Sequence, residues 1–213
     1  MGRQNVPERT VERLSLYRRI LLALRSDTSP HVFSHQLAAM AQVSAAQVRR
    51  DLMVIGYTGS TQRGYEVAGL SSALATFLDR PGGMGAALVG VGNLGRALMA
   101  YFVGRRPNLS IQAAFDSDPD RVDRVIHGCR CHGVESLERV VTELGLRVGI
   151  IAVPAPSAQA VADRLVASGV RGLVNFAPVR LWVPAGIYVE DLDMALSLEK
   201  VAFFARQGLE EER

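Results

Sequence analysis

Ala86-Ala87-Leu88-Val89-Gly90-Val91-Gly92-Asn93-Leu94-Gly95 decides the reading of this chain. A buried-strand run flows into Gly-x-Gly-x-x-Gly, and an amphipathic helix from Arg96 to Val103 follows at once. A second strand, Ile111 to Phe115, ends on Asp116, 21 residues beyond Gly95. A glycine triplet alone is a weak signal. Strand, turn, helix, second strand and acidic terminus in that order point to a dinucleotide-binding βαβ unit. Gly90 permits the tight turn, Gly92 lets backbone amides approach a pyrophosphate, and Gly95 lets helix and strand pack closely. The helix N-terminus offers free N–H groups and a positive dipole end to the phosphates, so Val91, Asn93 and Leu94 belong to the same expected cofactor site. Asp116 accepts ribose hydroxyls and repels a 2′-phosphate, which favours NADH/NAD+ over the phosphorylated cofactor.

Downstream, Val148 to Val153 is a second continuous apolar run, read as a buried parallel strand that ends at Pro154. Ser157 is expected to cap a helix with Val161, Leu165 and Val166 inward. The strand Gly172 to Phe176 follows and ends in Ala177-Pro178. Ligands of such sheets lie beyond the carboxyl ends of the strands, so Val153, Pro154, Asn175, Phe176, Ala177 and Pro178 are expected to line the site. Asp118-Pro119 is expected to open a short helix. Ile187 to Val189 makes a last strand, and a helix from Met194 to about Arg206 closes the chain. Its Leu196, Leu198, Val201, Phe203 and Phe204 expose too much apolar surface for a free face, so it packs either on another subunit or on its own sheet.

The 213 residues, 48% hydrophobic and 21% charged, describe an ordinary globular composition. No apolar run approaches the ~18 residues of a membrane span, and Met1 to Glu8 is polar, unlike a signal peptide. A cytoplasmic protein is expected. Cys129 and Cys131 stand one residue apart, which fits neither a CxxC pair nor a disulfide. His127 and His132 lie close by, but no second ligand cluster closes a tetrahedral site, so no metal is expected.

Charge divides the chain unevenly. Residues 1–75 hold nine arginines against five acids, net +4, while the rest hold 15 basic and 16 acidic side chains, net −1. A basic small domain fused to a near-neutral one suggests that the first meets a polyanion. In it, Val11, Leu14, Tyr17, Ile20, Leu21 and Leu24 recur at helical steps from about Glu8 to Arg25. Ser34 is expected to cap a second helix through Met40, with Leu37 and Met40 inward. After a short turn, Ser44 caps a third helix. Its Ala45, Val48, Leu52 and Ile55 fall on one side, and Gln47, Arg49, Arg50 and Asp51 lie toward the other. This is a helix-turn-helix pattern. Glycines and β-formers around Arg63, from Gly56 to Val67, suggest a two-stranded wing. Arg50 is the candidate for a guanine edge, and Arg49 and Arg63 for phosphates. Arginine pairs also occur on solvated helix faces, and the helix-turn-helix setting is what favours the DNA reading.

Arg49-Arg50-Asp51-Leu52, Gly90-Val-Gly-Asn-Leu-Gly95, Val153-Pro154 and Asn175-Phe-Ala-Pro178 together resemble the Rex family of redox-sensing transcriptional repressors, from Val6-Pro7 to the terminal helix. The resemblance implies an N-terminal winged helix over 1–79, then a Rossmann NAD(H)-binding domain over 80–213. It also implies a homodimer that interlocks its C-terminal helices. Binding to a palindromic double-stranded DNA operator with NAD+, and release when NADH binds, are implied in the same way. By position, Arg49 and Arg50 resemble the recognition pair, and Gly90, Gly92, Asn93, Leu94, Gly95 and Asp116 the dinucleotide site. Arg19, Tyr101 and Asp193 resemble a polar network that reports nicotinamide charge. The chain departs from the family pattern at the wing, where Gln62 stands at a glycine position and Ile55 and Thr58 replace aromatics. Met194 stands where an aromatic often sits.

The expected fold is thus α/β: a winged helix-turn-helix domain, a Rossmann-like domain and a dimerising helix. No His or Lys is placed as a hydride-transfer acid or base, so the chain is expected not to be an enzyme. Two alternatives stay open: a dehydrogenase with an accessory domain, and a DNA-binding protein that holds CoA instead, although Asp116 implies a free ribose diol that CoA offers poorly.

Overall fold

The computed structural model describes residues 6–24, 30–104 and 108–211, with side chains as far as Gln207. The chain divides into two compact units, Met1–Pro81 and Gly82–Arg213.

In the first unit, helix α1 (Glu8–Leu24) buries Thr10, Leu14, Tyr17 and Leu21, one turn apart, along a single stripe. Arg25, the expected helix end, lies outside the described residues. Helices α2 (Ser34–Ala41) and α3 (Ala45–Val54) meet at Gln42, whose left-handed backbone lets the Val43 N–H reach the Ala38 carbonyl at 3.0 Å. Ser34 is not the cap of α2. Phe33 holds that position, and its N–H donates to Gln36 Oε1 at 2.8 Å. Met40 is exposed, because the buried stripe of α2 is Leu37, Ala38 and Ala41, which turns Met40 to the flank.

The wing differs from the expected hairpin. Strand β1 (His31–Val32), ahead of α2, pairs antiparallel with β2 (Tyr65–Glu66), and the segment between Gly56 and Gly64 closes on itself only through the Ser60–Gly64 bridge. Gly64, at φ +75°, lies under the Val32 carbonyl where a Cβ has no room, and that approach delivers Tyr65 onto β1. Helix α4 (Val67–Leu78) follows β2 without a gap and packs along α1 through buried Val67, Leu70 and Leu74.

The second unit contains β3 (Met84–Val89), α5 (Asn93–Phe102), β4 (Leu109–Asp116), β5 (Val125–Ile126), β6 (Cys129–Gly133), α6 (Leu137–Glu143), β7 (Val148–Ile151), α7 (Ala155–Ala167), β8 (Gly172–Asn175), β9 (Tyr188–Asp191) and α8 (Met194–Glu211). Its seven-stranded sheet runs in the order β5-β6-β4-β3-β7-β8-β9, with every pairing parallel except β5 on β6. Strand order reverses at β3, from which the chain grows first through β4 and later through β7. That reversal opens a crevice at the carboxyl ends, where such sheets bind ligands. Alternation along β3 sends Ala87 and Val89 into a core with α6 and α7, and Ala86 and Leu88 into a core with Met99 of α5.

Two expectations about this unit fail. Asp118-Pro119 opens turns instead of a helix: Asp118 Oδ1 accepts the Asp120 N–H at 3.0 Å, and a hairpin, β5–β6, takes the place of the crossover helix. Helix α7 starts at Ala155 behind Pro154, so Ser157 lies inside it, and Ala158, Ala162 and Leu165 form the buried face. At the end of the chain, every described side chain of α8 from Met194 to Gln207 is exposed, so this helix does not cover its own sheet.

Candidate functional site

The glycine-rich turn is closely packed at two of its three glycines. Gly90 has φ +97°, and a Cβ there would meet the Ala152 carbonyl on β7's side of the crevice; one at Gly95 would strike the Gly90 carbonyl. Gly92 is different: the direction its Cβ would take is open space at the N-terminus of α5. The first turn of a helix leaves its N–H groups without intrahelical acceptors, here those of Asn93, Leu94 and Gly95. Donors, dipole and empty space coincide there, which suits a diphosphate.

Asp116 is nearly buried at the end of β4, 7% exposed. Its Oδ2 accepts the Val91 N–H at 2.7 Å and Arg121 Nη1 at 3.0 Å, and its Oδ1 accepts the Asp118 N–H at 2.9 Å. Burial opposes its charge, but the N–H groups of Asp118 and Val91 together with Arg121 outweigh that and hold the carboxyl below its usual range. Asp116 therefore braces the glycine turn from within, and its three donors leave one of about four acceptor positions for a ribose hydroxyl.

Asn175 is fully buried at the end of β8. Its amide donates to the Val179 carbonyl at 2.7 Å and to Asp191 Oδ1 at 2.8 Å, and its Oδ1 accepts the Ala177 N–H at 3.0 Å. With both ends engaged by protein, Asn175 shapes the loop that carries partly buried Phe176, buried Ala177 and exposed Pro178, and does not line the crevice itself. Val153, partly buried, and Pro154, exposed, follow β7 at the same edge. Tyr101, 56% exposed near the end of α5, packs edge-on against Phe102. Asp193 stands ahead of α8 and accepts the Leu196 N–H at 3.0 Å, as a helix cap does.

Cys129 and Cys131 point to one face of β6 and lie in the core beneath α5, whereas His132 points to the other face against Phe115. The strand period thus separates the groups that sequence proximity had placed together. Burial pushes the Cys131 thiol up to about 11, which keeps it protonated at neutral pH.

In the first unit, Ser44 caps α3 by accepting the Gln47 N–H at 3.1 Å. Val48 and Leu52 are buried, while Arg49, Arg50 and the wing-tip Arg63 are exposed. Arg49 Nη1 reaches Ser34 Oγ at 3.2 Å, and Arg50 Nη2 donates to Gln47 Oε1 at 2.8 Å. Asp51, expected on the polar side, is 2% exposed and ion-paired with Arg13. Arg19 is exposed on α1.

The family model for a CoA binding domain matches residues 84–179, and the model "Putative DNA-binding protein N-terminus" matches residues 5–52. The redox-sensing transcriptional repressor Rex of Lactobacillus acidophilus is 35% identical over 204 residues, covering 96% of this chain and 97% of that protein. The chain belongs to the Rex family. Rex of Maridesulfovibrio salexigens is 39% identical over 203 residues, 95% of this chain and 97% of that one. Among solved structures, the Rex-family repressor RSP in complex with β-NAD+ and operator DNA superposes with a TM-score of 0.89 at 28% identity, over 99% of this chain and 97% of RSP. RSP in complex with β-NADH superposes with 0.83 at 27% identity, over 99% of both chains.

Within this Rex-family chain, Arg13, Tyr17 and Arg121 are polar residues of the two sites that the sequence reading passed over. Arg13 is partly buried and stands four residues before Tyr17, so both lie toward one side of α1, where Asp51 meets them. Arg121 lies five residues after Asp116, within one turn-rich segment.

Proposed function

We propose that this protein is a redox-sensing transcriptional repressor that binds a palindromic operator as a homodimer and leaves it when NADH binds. The full-length likeness to a Rex-family repressor held with both β-NAD+ and operator DNA carries this reading. DNA binding is assigned to residues 1–79 and NADH/NAD+ binding with dimerisation to residues 80–213. In the nucleotide site, Gly90, Val91, Gly92, Asn93, Leu94 and Gly95 hold the diphosphate, and Val153, Pro154, Phe176, Ala177 and Pro178 flank the rest. Asp116 braces the turn and offers its remaining acceptor position to the ribose, and Asn175 keeps the loop after β8 in shape. Arg50 reads a base edge with Gln47 beside it on the same face, and Arg49, Ser44 and Arg63 hold the backbone.

Two recognition helices of a dimer must lie about one DNA turn apart, ~34–36 Å, to read a palindrome. NADH and NAD+ differ by one positive charge on the nicotinamide ring, and a ligand shifts DNA binding only through its differential affinity for the two dimer states. A coupling of ~1–3 kcal/mol changes operator affinity roughly 5–150-fold. Asp193 with Tyr101 is assigned to sense that charge, with Arg19 competing for the same carboxylate in the DNA-competent state. The position of Asp193 as the cap of α8 supports this, since a change at its carboxylate acts directly on the helix assigned to dimerisation. If Asp193→Ala answers NADH as wild type does, the relay is wrong.

Catalysis forms no part of this reading, and a cytoplasmic setting goes with it. A gel shift on a palindromic duplex, titrated with NADH against NAD+ at one salt concentration, tests the function: release by NADH alone is expected, and retention at saturating NADH overturns it. The CoA binding domain match supports one second reading, in which CoA is the ligand. Calorimetry with NADH, NAD+, NADPH and CoA separates the two.

A further inference from the structure

The first unit contains a polar chain that runs from its core to the exposed guanidinium of Arg50. Arg13 on α1 grips Asp51 with two parallel bonds, Nε to Oδ2 at 2.7 Å and Nη2 to Oδ1 at 2.7 Å. The Tyr17 hydroxyl, also from α1, donates to Oδ2 at 2.8 Å. Gln47 Nε2, one turn earlier on α3, donates to Oδ1 at 2.8 Å. Four donors thus fill the acceptor capacity of one carboxylate. A carboxylate accepts only, so it dictates which end of the Gln47 amide faces it. The amide oxygen must point the other way, and there it accepts from Arg50 at 2.8 Å.

A buried ion pair is a poor source of stability, because desolvation offsets its attraction, and apolar residues fill such places at least as well. Val48 and Leu52 already do so on either side of Asp51. What a saturated polar network does supply is a single geometry. Its anchor is rigid here, since Tyr17 and its neighbours Leu14 and Leu21 on α1 are fully buried. Arg50 therefore waits for DNA with its guanidinium already oriented, and less side-chain freedom is lost on binding. Arg49 is held differently: its Nη1 reaches the hydroxyl of partly buried Ser34 at 3.2 Å, a longer contact than the 2.8 Å from Arg50 to Gln47.

We propose that Asp51 is a positioning residue for base reading: through Gln47 it orients Arg50, and so it governs discrimination between DNA sequences and not the general grip on DNA. This rests on the reading of α3 as the recognition helix. The test starts with full-length wild type selecting duplexes from a pool with randomised half-sites. Affinity for the selected duplex and for a scrambled duplex of equal length is then measured at one salt concentration. Asp51→Asn is expected to lose about tenfold or more on the selected duplex, to hold the scrambled duplex as before, and to bind NADH as wild type does. Adding Arg50→Ala to Asp51→Asn is expected to cost far less than Arg50→Ala costs alone.

An unchanged ratio between the two duplexes in Asp51→Asn overturns the proposal, as do losses that multiply independently. Should Asp51→Asn not fold, Gln47→Ala, on the helix surface, leaves the Arg13–Asp51–Tyr17 cluster in place. Independent losses in the Gln47/Arg50 pair then overturn it. If wild type enriches no sequence at all, the functional reading fails instead, which is a different result.

Discussion

Among the described residues, Asp51 and Asp116 are the buried carboxylates, and they hold α3 and the glycine turn respectively. Burial opposes the charge of each, and donors outweigh it: Arg13, Tyr17 and Gln47 for Asp51; Asp118, Val91 and Arg121 for Asp116. Both folded-state values therefore lie below the unfolded value of about 3.9. A depressed carboxylate contributes stability that is complete above the unfolded value and is lost as pH falls through the folded one. Burial holds the His132 imidazole below its usual range, so melting followed by circular dichroism is expected to decline gently below about pH 6.5 and to fall steeply below about pH 4. Asp51→Asn is expected to soften that fall in the first unit, and an equally steep fall excludes Asp51 as a source. Glycines at the turn separate two other effects. Gly95→Ala drives a methyl into the Gly90 carbonyl, an overpacking loss of about 1–3 kcal/mol visible in the melting temperature without ligand. Gly92→Ala meets open space, so it is expected to leave melting unchanged and weaken NADH binding by about tenfold or more. Equal behaviour of the two variants contradicts the assignment of that space to the diphosphate.

Among the described residues, α8 is the helix whose side chains are exposed from Met194 to Gln207. Leu196, Leu198, Val201 and Phe204 are each at least 60% exposed, an apolar surface of the kind that marks an interface. Leu198→Arg is expected to convert the protein from dimer to monomer in light scattering and to abolish operator binding while the monomer stays folded. A dimer of unchanged mass removes α8 from the interface. The same scale shows what was legible. Helix α1, the α2–α3 pair and the strands β3, β4, β7 and β8 were readable because each announces itself by local periodicity or by an uninterrupted apolar run. Helix α4 was not, because Val67 follows the β-formers Tyr65-Glu66 with no break to separate strand from helix. The β5–β6 hairpin was not, because its turn rests on His127 and Gly128, both at positive φ, and histidine is not a usual turn signal.

For the whole molecule, the functional reading is a linkage between two ligands: NADH and operator DNA each weaken the other to the same degree. The electrostatic share of DNA binding can be tested separately. Arg49→Gln is expected to weaken binding to selected and scrambled duplexes alike and to reduce the slope of log affinity against log salt by about one. A sequence-specific loss assigns Arg49 to a base instead. The sequence by itself determined the order of a basic helical unit and a parallel α/β unit, the glycine turn with its chemistry, and the family. These depend on residue type, spacing and local period, all of which lie along the chain. Only the tertiary structure decided that Asp51, Asp116 and Asn175 turn inward as braces, that Cys129 and His132 part to opposite faces, and that β2 pairs with the strand ahead of α2. A polar side chain is buried only where partners distant in sequence satisfy it, and those partners exist only once the fold has formed.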